Sequence, residues 1–112
     1  MDATDLTDLI RFDPDSPRTA VLAETDRLWS QVVCLERAQE FGPIGDPDSD
    51  ALVVLLAGEV AFQVDKGRKR VKQWGAITVP AGSSLFMRNA STEPAVVLLV
   101  AAPAPVERIV TG

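Results

Sequence analysis

Gly75–Asn89 reads GAITVPAGSSLFMRN, and its order of residues sets up a strand, a tight turn and a second strand. Gly75 interrupts the run before it. Ala76–Val79 is a short strand, which Pro80-Ala81-Gly82 stops by turning the chain. Ser84–Asn89 then resumes in extended form. Side chains alternate along a strand, so Leu85, Met87 and Asn89 share one face. That face is expected to point inward.

The same punctuation continues on both sides. Ala51–Ala57 (ALVVLLA) is an apolar run of strand length, ended by Gly58. Glu59–Val64 (EVAFQV) alternates, with Val60, Phe62 and Val64 on one face. Asp65-Lys66-Gly67 reads as a hairpin turn with Gly67 in the positive-φ position. Arg68–Trp74 is the returning strand. After a turn at Ala90–Pro94, Ala95–Ala101 (AVVLLVA) is the last strong strand. Upstream, Leu28–Leu35 (LWSQVVCL) is rich in strand formers. The Gly-, Pro- and Asp-dense stretch between it and Ala51, Ala38–Asp50, reads as a long loop. Short strands at this spacing, with no sustained helical period, predict an all-β sandwich or barrel. Residues 1–27 read as an acidic arm with a possible first strand or short helix, and residues 28–112 as the barrel domain.

The composition narrows the setting. A chain of 112 residues fits one domain, and 46% apolar content is ordinary for one. A lone cysteine, Cys34, excludes an internal disulfide. The first ten residues carry acid where a secretory leader would carry base. The longest apolar tract, Ala95–Val106, contains prolines and is too short to cross a bilayer. These features place the expected location in the cytoplasm, without membrane contact. Net charge is −5, unevenly spread: twelve acids against four arginines up to residue 50, four acids against seven bases beyond it. Five of those bases lie between Lys66 and Lys72, without an interleaved aromatic residue to stack a base. They read as the solvated face of an exposed hairpin, and no nucleic-acid partner is expected.

Gly75–Asn89 resembles the second signature of the cupin family: Gly, a few residues, Pro-x-Gly, two residues, His, three residues, Asn. Gly75, Pro80, Gly82 and Asn89 match, with one residue fewer than usual between Gly75 and Pro80. Leu85 fills the histidine position. The first signature (His-x-His, Glu, then Gly) aligns at Gly58 and puts its glutamate position at Ala51, beside Asp50. Its histidine positions fall near Gly45 and Pro47, or near Ile44 and Asp46. The resemblance spans about residues 28–101. It implies a jelly-roll barrel, also called a double-stranded β-helix, that is commonly dimeric and has a small-molecule pocket. Cupins with oxygen or isomerase chemistry usually hold a metal with three histidines and a carboxylate.

This chain has no histidine. The carried-over positions therefore lack the usual donors, and neither metal nor cofactor is expected. A Ser-His-Asp or Cys-His nucleophile is likewise impossible, and Cys34 reads as inert packing. Asp46, Asp48 and Asp50 read as a solvated acidic loop, without the glycine and distal glutamate of a calcium loop. Three readings of function remain. The first is a metal-free barrel that binds an apolar or aromatic metabolite through Gln31, Val53, Leu55, Phe62, Leu85, Met87 and Asn89, in a cavity of roughly a few hundred Å³. The second is a metal-independent isomerase- or cyclase-type enzyme using Glu36, Asp46 or Asp50 as base, which requires burial to raise the carboxylate's pKa. The third is a structural or regulatory dimerisation module with a filled interior. A homodimer is expected in any case.

Overall fold

The computed structural model describes residues 1–106. Among these residues nine strands follow a short 3-10 turn at Leu6–Leu9. They are β1 (Arg18–Glu24), β2 (Trp29–Leu35), β3 (Glu40–Ile44), β4 (Asp50–Ala57), β5 (Glu59–Val64), β6 (Gly67–Lys72), β7 (Ala76–Val79), β8 (Leu85–Arg88) and β9 (Ala95–Ala102). Two antiparallel sheets result, ordered β1-β2-β9-β4-β7 and β3-β8-β5-β6. This is the all-β jelly roll that the sequence predicts.

Alternation explains the core. Odd-numbered residues of β2, β4 and β9 face inward from the larger sheet, among them Val33, Val53, Leu55 and Val97. From the smaller sheet come Phe41, Val60, Phe62, Leu85 and Met87. These side chains form one continuous cluster and fill the barrel. Even-numbered residues of β2 and β9 point to the outer face of the larger sheet. There Val32, Cys34 and Val96 form a second cluster, covered by Leu6, Leu9 and Ile10 of the N-terminal segment. Burial pushes the Cys34 thiol above its ordinary value, which keeps it protonated.

Two details differ from the sequence reading, at the β3 segment and at the β5–β6 turn, and the N-terminal arm is filled in. The stretch read as a loop between residues 38 and 50 contains β3, which pairs with β8 across an irregularity between Phe41 and Ile44. The residues that suggest a loop, Gly42 and Pro43, sit in that irregularity, where the ladder tolerates them. The arm, read as holding a possible first strand or short helix, contains β1, which pairs with β2 across a register shift between Val21 and Ala23. In the β5–β6 hairpin Val64 pairs with Gly67, so the turn is Asp65-Lys66 and Asp65 carries the positive φ of 51°. Aspartate tolerates that region better than most residues, and its carboxylate accepts a hydrogen bond from the Ser84 amide (2.9 Å).

At the far end of the barrel, Gly58 joins β4 to β5 with φ +83°. A Cβ there would lie 2.6 Å from the Pro94 carbonyl oxygen and 3.0 Å from the Ala95 Cα. Neither neighbour is a flexible side chain. Gly58→Ala is therefore expected to destabilise the fold by about 2 kcal/mol or more, read as a lower urea midpoint at unchanged slope. An unshifted midpoint would mean that this corner is not fixed.

Candidate functional site at the barrel mouth

The two ends of the barrel differ. At the Gly58 end the chain is sealed by hydrogen bonds centred on Asn89. Its Nδ2 donates to the carbonyls of Leu35 (3.0 Å) and Glu93 (2.8 Å). Its Oδ1 accepts from the Ser91 amide (3.0 Å) and hydroxyl (2.9 Å). Asn89 is fully buried, and these bonds occupy its amide in holding the β8–β9 turn to the end of β2. Glu36 lies at this same end, one residue beyond β2, with its amide donating to Gln39 Oε1 (2.8 Å).

The other end carries a cavity of about 50 Å³. β2 contributes Trp29, β3 Ile44, β4 Ala51, β7 Val79, β8 Leu85 and β9 Leu99. The β3–β8 register places Ile44 directly opposite Leu85. Gly45, Asp46 and Ser49 come from the β3–β4 connection, and Pro80 and Ser83 from the Pro-x-Gly turn. The positions that the cupin signatures reserve for ligands thus do meet at one place. Their side chains are nearly all apolar.

Hydrogen bonds tie the rim together. The Gly82 amide donates to the Asp46 carbonyl (2.9 Å), and the Ala81 amide to Asp50 Oδ1 (2.9 Å). The C-terminal segment crosses the mouth. Ser49 Oγ donates to the Pro103 carbonyl (2.6 Å), the Val106 amide donates to Asp46 Oδ2 (3.3 Å), and Pro105 lines the cavity. Nothing in the sequence pattern of residues 103–106 announces this.

The sequence-derived candidates therefore separate. Leu85 lines the cavity. Val53, Leu55, Phe62 and Met87 are buried in the filled core instead. Gln31 is buried on the inward face of β2. Among the described residues, large side chains from both sheets occupy the interior, and the cavity at the mouth is about 50 Å³ where a few hundred were expected. Trp29 also lines the mouth. Trp74, by contrast, is 75% exposed at the turn after β6, with φ +74°.

The carboxylates separate too. Glu36 is about 20 Å along β2 from the mouth, at the usual rise per residue. Asp50 is exposed on the rim. Asp46 borders the cavity, but the Asp48 amide, donating to its Oδ1 at 2.8 Å, holds its pKa below the ordinary value, helped by Ser49 and the Val106 amide. That direction is opposite to what a general base at neutral pH needs.

The fold family's metal does not fit these residues. Ile44, Ala51 and Leu85 cannot donate, and Asp46 alone among the signature positions can. Among the described residues, no three His, Cys, Asp or Glu side chains are grouped to hold an ion.

Comparison with solved structures agrees with the strand order. A protein of Klebsiella pneumoniae with a double-stranded β-helix domain superposes with a TM-score of 0.84 at 20% identity, over 90% of this chain and 89% of that one. An RmlC-like cupin protein of Desulfovibrio desulfuricans gives 0.82 at 19% identity, over 92% and 97%. The fold is that of the cupins. The TT1209 protein of Thermus thermophilus is also similar, with a TM-score of 0.86 at 28% identity over 92% of this chain and 98% of that one. No family model and no curated protein matches the sequence. No helix among the described residues is long and apolar enough to cross a membrane.

Asp46 gives this site a pH signature. A carboxylate whose pKa is lower folded than unfolded stabilises the fold above its unfolded value, about 3.9 for aspartate. That stabilisation is lost as pH falls through the folded value. Asp46→Ala is therefore expected to lower the urea midpoint at pH 7 and to lower it less at pH 2.5. An equal loss at both pH values would mean that the charge on Asp46 does not hold the rim.

Proposed function

We propose that this cupin barrel binds a small, largely apolar molecule at its mouth, without a metal ion. One observation supports the reading: the positions that would converge on a metal still converge on a cavity, and it is lined by Ile44, Ala51, Val79, Leu85 and Leu99. A cavity of about 50 Å³ is roughly a third of the apolar cavity that admits benzene in an engineered lysozyme. It takes a group of a few heavy atoms. The remainder of a larger ligand would lie between the rim and Pro103–Val106, held there by the hydrogen bonds to Ser49 and Asp46. Binding of this kind needs no base, in keeping with the lowered pKa of Asp46.

A second observation concerns assembly. The outer face of the larger sheet is covered by the N-terminal segment at only one end. Toward the mouth it leaves a shallow apolar groove of about 470 Å³, lined by Leu52, Thr78, Val100 and Ala102, with Leu52 43% exposed. An apolar face of this sort is suited to pairing with the same face of a second copy. We read it as the homodimer surface.

Xenon is a direct probe of the mouth. Under pressure it should perturb the methyl resonances of Leu85, Leu99 and Val79 in the wild-type protein. Ala51→Leu should remove that response by filling the space. Xenon binding that ignores Ala51→Leu, or no response at those methyls, would contradict the proposal.

A further inference from the structure

Buried polar atoms without partners are uncommon, and each calls for an explanation. Among the described residues two buried side-chain nitrogen or oxygen atoms lack a hydrogen-bond partner: Trp29 Nε1 and Gln31 Nε2. They are not scattered. Both belong to β2, two residues apart, on the face that points into the barrel. Two positions along a strand span about 7 Å. Trp29 is 3% exposed and Gln31 1%. Trp29 lines the mouth cavity, and Gln31 pairs in register with Leu99, which lines it too.

The inward face of β2 otherwise carries Val33 and Leu35. A leucine at position 31 would match that pattern and would bury no amide there. Glutamine there forgoes an apolar contact and desolvates an amide, which makes it a poor choice for packing alone.

We infer that Trp29 and Gln31 form a donor pair for an oxygen acceptor on the bound molecule. The inference rests on the mouth cavity as the binding site and adds the chemistry that the site selects. Both groups offer neutral N–H donors. Among the described residues that line the cavity none is cationic, so a carboxylate there would gain no counter-charge from them for its lost hydration. The favoured ligand is a compact apolar molecule with a neutral carbonyl oxygen, such as a ketone, aldehyde, ester or amide. The apolar walls hold its carbon skeleton, and Trp29 and Gln31 take its oxygen.

The chain's two tryptophans make this measurable. In a ¹H–¹⁵N spectrum they give two indole signals, and Trp74→Phe assigns the remaining one to Trp29. The probes are acetone, which carries the acceptor; acetate, its charged near-isostere; and xenon, which is apolar and accepts nothing. Acetone should move the Trp29 indole proton downfield and bind more tightly than acetate. Gln31→Met should weaken acetone about tenfold, the loss of one hydrogen bond, and leave xenon unchanged. Trp29→Phe, which keeps an aromatic ring and deletes the donor, should weaken acetone relative to xenon, read at the Leu85 and Leu99 methyls, should Gln31→Met fail to fold. If xenon binds but acetone leaves the indole unmoved, or if the variants weaken both probes equally, the donor pair is wrong and the mouth cavity stands. If neither probe enters, both readings fall.

Discussion

On β8, Leu85 stands opposite Ile44 of β3 on one side and Val64 of β5 on the other, while Met87 meets Phe41 and Phe62. This register is the constraint from which the rest follows. A slip of one residue would turn Leu85 and Met87 to solvent and bring Phe86 and Arg88 inside. Burying an arginine without a partner in an apolar core costs several kcal/mol, so the alternative is excluded and the smaller sheet has one arrangement. The Pro80–Gly82 turn delivers β8 into that register, and its Gly82 amide binds the Asp46 carbonyl. The mouth and the core are therefore fixed by the same strand.

The consequence for chemistry is a division of labour between the two ends. At one end Gly58 and Asn89 close the barrel with backbone fit and a saturated amide. At the other, the signature positions converge but bring alkyl groups, a single carboxylate and a crossing C-terminal segment. A fold widely suited to holding a metal near its mouth here surrounds a small apolar space. Val53, Leu55, Phe62 and Met87 fill the deeper barrel, which leaves the rim, Trp29 and the inward face of β2 for the binding we propose.

Much of this is legible in the sequence. Val60, Phe62 and Val64 alternate cleanly, and Pro80-Ala81-Gly82 with Asn89 carries the resemblance that points to the architecture. Asn89 looks like a ligand anchor in the sequence because its conformation-fixing role depends on carbonyls of Leu35 and Glu93, distant in sequence or hidden in a turn. β3 escapes the sequence reading because EFGPI has the composition of a loop; its pairing with β8 comes from tertiary context, which outweighs local propensity. The size of the cavity is hidden for a related reason. Alternation says which side chains face inward, but how far they fill the space depends on the separation of two sheets. Trp74 shows the same limit from outside, since a tryptophan after a strand gives no sign of the left-handed turn that exposes it.

At the mouth, apolar side chains occupy positions that the cupin signatures give to metal ligands, and we propose that the face beside it pairs two copies. Native mass spectrometry of protein purified without chelators tests this most directly. The expected mass is twice the 12.0 kDa chain, bare or with a small organic molecule attached. A stoichiometric excess of tens of daltons that a chelator removes would show that oxygen ligands hold an ion after all, and would contradict the account.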